Sequence, residues 1–169
     1  MRTIILNVAI SLDGFIAGPN GEFDWCFTDQ DYGMPDFMNS IDTIFYGRKS
    51  YELMLTMEED LFKDQTRYVF SQTLTEVAEG YQLLNGDLKA EVEKIRAQEG
   101  KKIWLFGGTS LASSFLEAGL INELFLAVHP LLLGTGMPLF EGIADRTPLK
   151  LVDSKTYDSG MVQLLYQIE

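Results

Sequence analysis

The stretch Lys102-Ile103-Trp104-Leu105-Phe106-Gly107-Gly108-Thr109-Ser110-Leu111 joins a short apolar run to two adjacent glycines and the opening of a helical pattern. An apolar run of this length predicts a strand covered on both faces. Leu111, Phe115 and Leu116 then recur on one side of a helix through Thr109 to Ala118, and Gly119 follows as its stop. A junction of the same design stands upstream. Thr43 to Tyr46 reads as a strand, Gly47-Arg48-Lys49-Ser50 follows, and a helix pattern opening at Arg48 carries Tyr51, Met54 and Leu55 on one face.

Toward the N-terminus, Thr3 to Ile10 predicts a first buried strand ending at Ser11-Leu12-Asp13-Gly14. Gly18-Pro19-Asn20-Gly21 marks an exposed loop, and the acidic, aromatic stretch Phe23 to Tyr32 behind it is suited to a lid. Pro35 fits the first turn of a short helix through Ile41. Between the two junctions, Arg67 to Phe70 and Tyr81 to Leu84 read as strands. A helix capped by Asp87 carries Leu88, Val92 and Ile95 inward and is expected to stop at Gly100. Asn122 to His129 forms a further strand, and Lys150 to Tyr157 with Met161 to Ile168 make a hairpin around Asp158-Ser159-Gly160. Strands alternating with helices predict an α/β fold: a mostly parallel sheet with an antiparallel C-terminal hairpin at its edge.

At 169 residues, 46% apolar and 22% charged, the chain is expected to form a single domain with its own core. Thirteen basic residues against 25 acidic ones give a net charge of -12, which argues against nucleic acid as a partner. An anionic ligand must therefore be held by local donors, within about 8 Å at physiological salt. Cys26 stands alone, so no disulfide framework or cysteine metal cluster is expected. With no leader pattern at Met1 to Ile10 and no apolar run approaching about 18 residues, the expected location is cytoplasmic, with no membrane partner.

The two glycine junctions are the candidate anion sites. A helix N-terminus offers unpaired N–H donors and partial positive charge, and glycine lets a phosphate approach the backbone. Arg48 and Lys49 add local positive charge in a chain that is acidic overall. Taken singly, each junction also reads as an ordinary tight turn. Neither is a Walker loop, since Asp42 occupies the place of its first glycine, and no G-x-G-x-x-G follows the first strand.

Phe45-Tyr46-Gly47-Arg48-Lys49-Ser50-Tyr51-Glu52 resembles the glycine-arginine element of dihydrofolate reductases, and Phe106-Gly107-Gly108-Thr109-Ser110 resembles their pyrophosphate-binding double glycine. The chain is similar over nearly its whole length to the reductase domain of the bifunctional riboflavin-biosynthesis deaminase-reductase and its stand-alone bacterial relatives. Ser11-Leu12-Asp13-Gly14-Phe15-Ile16-Ala17, Glu117-Ala118-Gly119-Leu120-Ile121-Asn122-Glu123-Leu124 and Pro130-Leu131-Leu132-Leu133-Gly134-Thr135-Gly136 carry that likeness.

The resemblance implies a dihydrofolate reductase-like three-layer α/β/α fold, NADPH as cofactor, and hydride transfer to a small pyrimidine- or pteridine-like heterocycle. It implies that Arg48 contacts the adenosine 2′-phosphate, that Lys49 and Ser50 with Gly47 help hold the pyrophosphate, and that Gly107, Gly108, Thr109, Ser110 and Leu111 present backbone N–H groups to it. Ala9 and Ile16 would touch the nicotinamide, and Ser71 would lie near the adenosine phosphate. Gln72 departs from the pattern, standing where many relatives carry a basic residue for the 2′-phosphate. The relatives also suggest a homodimer. Without a deaminase segment, the two-step riboflavin conversion is not expected of these residues.

Asp13, Asp36 and Glu141 are the candidate acids, with Asp13 ranked first as catalytic and substrate-binding residue. Asp13 also fits a turn before Gly14, and Asp36 fits a helix first turn. Trp25, Phe27 and Phe37 are candidate walls for a flat heterocycle, with core packing as the alternative. His129, the only histidine, reads as structural. A serine hydrolase built on Gly108-Thr109-Ser110-Leu111-Ala112, His129 and Glu117 or Glu123 is disfavoured by the alanine that ends the elbow. A non-catalytic nucleotide-binding protein of the same fold is the other alternative.

Overall fold

The computed structural model describes residues 1–169. Its strands are β1 (Ile4–Ser11), β2 (Phe15–Ala17), β3 (Ile41–Gly47), β4 (Thr66–Phe70), β5 (Tyr81–Leu84), β6 (Lys102–Phe106), β7 (Glu123–His129), β8 (Met137–Pro138), β9 (Leu149–Thr156) and β10 (Val162–Ile168). The helices are α1 (Met34–Ser40), α2 (Arg48–Leu55), α3 (Leu88–Arg96) and α4 (Thr109–Glu117). An eight-stranded sheet runs in the order β5-β4-β3-β6-β1-β7-β10-β9, and β2 pairs with β8 in a separate two-stranded ribbon. From β5 to β7 the strands are parallel, while β10 is antiparallel to both of its neighbours.

Residue parity along the strands decides the layering, because successive side chains point to opposite faces. Ile4, Leu6, Phe45, Ile103, Leu105 and Leu124 pack on one face with Val92 and Ile95 of α3 and Ala112 and Phe115 of α4. Their neighbours Ile5, Ile44, Tyr46, Val69 and Trp104 pack on the other with Phe37 of α1 and Tyr51 of α2. Runs apolar at both parities therefore become strands buried on both faces, and the fold is three-layer α/β/α.

Asp87 caps α3 as expected, accepting from the Ala90 N–H at 2.8 Å. Gly100 does not stop that helix. It ends at Arg96 with Ala97 as its C-cap, and Gly100 is needed farther on, where a Cβ would stand 2.7 Å from the Asp42 carboxylate and 2.9 Å from Arg2 Cζ. Arg2 and Asp42 pair there, at the amino ends of the strands. Phe37 is 7% exposed, with ring contacts to Trp104 at 5.1 Å and Phe125 at 6.1 Å, so it belongs to the core rather than to a ligand wall. The ribbon β2–β8 carries no periodic signal because its strands have only three and two residues.

Candidate cofactor and substrate site

The chain leaves β3 through α2 toward β4 on one side, and leaves β6 through α4 past β1 toward β7 on the other. β3 and β6 are neighbours, so the order reverses between them and opens a crevice at their carboxyl ends, where α/β sheets bind ligands. Gly47 and Gly107 end these two strands. Leu111 in the first turn of α4 joins them: a Cβ on Gly47 would lie 3.6 Å from Leu111, and one on Gly107 would lie 2.9 Å from it.

Both helix N-termini at the crevice are left electropositive. α2 and α4 have glycine N-caps, no side-chain cap and no acidic residue in the first turn. α3, which starts after β5, two strands along the same edge from β3, has its Asp87 cap and Glu91 in the first turn. Gly108 has extended backbone, φ -77° and ψ -175°, and a Cβ there would meet nothing within 4 Å. The double glycine thus divides its work: Gly107 admits Leu111, and Gly108 leaves a bare backbone facing open space.

Arg48 and Lys49 are exposed at the start of α2, with Ser50 half-buried behind them. Arg48 is engaged by Glu52 one turn on, at 3.0 and 3.3 Å, an exposed pair that a phosphate can displace. Ser71 follows the end of β4, which pairs Phe70 with Gly47. Its hydroxyl accepts from the N–H groups of Thr73 and Leu74 at 3.2 and 3.1 Å, so it shapes the turn at the rim. Thr109 spends its hydroxyl on the Pro138 carbonyl, tying α4 to β8, and only its N–H remains for an anion. Ala9 is half-buried on β1 beside Ala127, and Ile16 is half-buried on β2.

Asp13, just past the end of β1, is held by three donors. One carboxylate oxygen accepts from the Ser11 hydroxyl at 2.6 Å and the Leu133 N–H at 3.1 Å; the other accepts from the Gly134 N–H at 2.8 Å. These donors, the Ser11 hydroxyl foremost, hold its pKa below the ordinary carboxylate value. Through the Leu133 and Gly134 N–H groups the carboxylate clamps the 130–136 loop to the end of β1. The Leu133 and Gly134 partners carried no sequence signal, being some 120 residues distant.

The remaining candidates are dispersed. Asp36 is exposed in the first turn of α1, and Glu141 is exposed with its N–H on the Ser113 hydroxyl at 2.9 Å. Trp25 and Phe27, in the loop after β2, pack on His129 at ring distances of 5.3 and 4.9 Å. His129 is 2% exposed, accepts from the Phe27 N–H, and meets the Ala127 carbonyl through its other nitrogen. Neither ring nitrogen is left for Ser110, which removes the hydrolase reading. Burial raises the Cys26 thiol to about 11, so it is not a ready nucleophile. No helix is long and apolar enough to cross a membrane.

Comparison with known proteins fits this geometry. The chain is 44% identical to the protein YyaP of Bacillus subtilis (strain 168), over 98% of this chain and 94% of that one. A protein from Shewanella sp. PV-4 assigned to riboflavin biosynthesis has the same fold at a TM-score of 0.88 and 28% identity, over 100% of this chain and 99% of that one. The dihydrofolate reductase of Enterococcus faecalis, solved in complex with NADP(H), shares the fold at a TM-score of 0.74 and 15% identity, over 99% and 96% of the two chains. The sequence pattern of the RibD C-terminal domain matches residues 2–163, and the chain belongs to that family.

Proposed function

We propose that this chain is an NADPH-dependent reductase that passes a hydride to a small pyrimidine- or pteridine-like heterocycle. The observation that carries this reading is the pair of uncapped, acid-free helix N-termini meeting at the β3–β6 crevice, with open space over Gly108. The donor set suits a dinucleotide phosphate: N–H groups of Gly108 to Leu111 for the pyrophosphate, and Arg48 with Lys49 for the 2′-phosphate. The nicotinamide, once bound, supplies the hydride. The chain's own part is to orient it between Ala9 and Ile16 and to shield it from water beneath the loop after β2. Asp13 holds the frame of that site through the Leu133 and Gly134 N–H groups. The likeness to an NADP(H)-complexed reductase and to a riboflavin-biosynthesis protein supports the reading.

Titration with NADPH followed by tryptophan fluorescence is expected to saturate in the range of about 1 µM to 1 mM usual for enzyme ligands. Absence of saturable binding defeats the proposal. The clamped Asp13 favours one alternative, a nucleotide-binding protein without turnover. Loss of absorbance at 340 nm with pyrimidine or pteridine acceptors decides for the reductase, and binding without any such loss decides for the alternative.

A further inference from the structure

We infer that His129 latches the loop Gly18–Gly33 over the carboxyl edge of the sheet, and that it does so only as a neutral imidazole. The inference rests on reading that edge as the reductase site. The segments flanking the loop are held by several bonds to the body: Leu12 N–H to the Leu131 carbonyl at 2.9 Å, Leu139 N–H to the Gly14 carbonyl at 3.0 Å, the Asp13 clamp, and Thr109 on Pro138. At the loop's far end, Gln163 donates to the Tyr32 carbonyl at 2.8 Å. Between these anchors, from residue 19 to residue 31, every hydrogen bond but one stays within residues 18–34. The exception is the Phe27 N–H, which donates to His129 Nε2 at 3.1 Å.

The opposite ring nitrogen fixes that role. His129 Nδ1 lies 2.9 Å from the Ala127 carbonyl oxygen, which only accepts, so Nδ1 carries the proton and Nε2 keeps its lone pair. A second proton on the ring would turn Nε2 into a donor facing another donor. Its surroundings offer such a proton no carboxylate partner. The loop presents the Trp25 and Phe27 rings, with the largely un-ionised Cys26 thiol between them in sequence and Asp24 and Asp29 exposed beyond. β1 sets Ser11 beside His129, with Asp13 bound to the Ser11 hydroxyl, and β10 brings Val162 against the adjacent Val128. His129 stands at the end of β7, the same edge as Gly47 and Gly107, so the latch draws the loop across the crevice side of the sheet.

Amide exchange at Phe27, followed by NMR without cofactor, tests the latch. His129→Phe keeps an aromatic ring and removes the acceptor; it is expected to speed Phe27 exchange about five- to tenfold, the worth of one net hydrogen bond, and to leave Leu6 and Leu105 protected. His129→Gln, an acceptor that does not titrate, is expected to keep the protection. Wherever the wild-type imidazole signal moves as pH is lowered, the Phe27 amide signal should move with it, and in His129→Gln it should stay still. Equal Phe27 protection in wild type and His129→Phe overturns the latch, as does a Phe27 signal that ignores the imidazole. If His129→Phe fails to fold, the nitrogen shifts of the wild-type imidazole decide: a protonated Nδ1 with a bare Nε2 supports the latch, and the opposite tautomer overturns it. NADPH affinity is expected to fall about fivefold in His129→Phe; unchanged affinity with lost protection overturns the link between loop and site. Failure of the wild type to bind NADPH defeats the cofactor reading, while the exchange result still decides the latch.

Discussion

At Gly107 an added methyl would stand 2.9 Å from Leu111 Cδ2 and 3.1 Å from its Cβ, whereas at Gly108 it would meet nothing within 4 Å. Gly107→Ala is therefore expected to destabilise by about 1–3 kcal/mol, as overpacking does. Gly108→Ala should stay within about 1 kcal/mol of wild type, since its backbone is open to any residue, yet lose NADPH affinity because the methyl occupies the approach to the N–H groups. Urea unfolding and NADPH titration of both variants check the pair of outcomes. Arg48→Ala should weaken NADPH about tenfold or more and leave NADH unchanged, because the guanidinium answers only the 2′-phosphate. Equal losses for both nucleotides would remove Arg48 from that phosphate. At Asp13 the folded-state pKa lies below the unfolded one, so its contribution to stability is present above the unfolded value of about 3.9 and lost as pH falls through the folded pKa. Melting temperatures of wild type should exceed those of Asp13→Asn from pH 5 to 7 and converge with them below about pH 4.

α4 presents its bare N-terminus at a cost in stability. A carboxylate in the first turn of a helix is worth about 0.3–1 kcal/mol. Ser110 is exposed and receives the Ser114 hydroxyl only on its backbone carbonyl, so Ser110→Asp should raise the unfolding free energy by about that amount while weakening NADPH. Asp87→Ala, at the capped α3, should lower stability by about 1 kcal/mol and leave NADPH affinity unchanged. Opposite movement of stability and binding at α4, set against stability alone at α3, separates a ligand-facing terminus from a structural one. The same contrast marks what was legible in the sequence. Glycine, an absent cap and the apolar pattern are local, so the strands, the helices and both junctions could be read from residues close together. The hydroxyl of Thr109, the carboxylate of Asp13 and the ring of His129 take partners 29, 121 and 102 residues away, and no local pattern announces them.

Across the whole molecule, the apolar layer on the α3–α4 face continues outward along the sheet and ends uncovered. Leu151 pairs with Tyr166, and Leu149 with Ile168, so these residues share the face on which Tyr166 and Ile168 join the core. All eight residues of the edge strand β9 are exposed, with Leu149, Leu151 and Val152 at 41%, 51% and 55%. An edge strand with apolar side chains and no proline is a template for pairing. We propose a second copy as its occupant, because a two-fold axis lets one strand serve as its own antiparallel partner and closes the assembly at two chains. Light scattering is expected to give twice the 19.1 kDa chain mass, and Leu151→Lys to give a monomer. Leu151 is half exposed and lies far along the sheet order from the β3–β6 crevice, so that monomer should still bind NADPH. A wild-type chain that stays monomeric at about 100 µM, well above the dissociation constants of stable dimers, would overturn the pairing and leave β9 as a tolerated open edge.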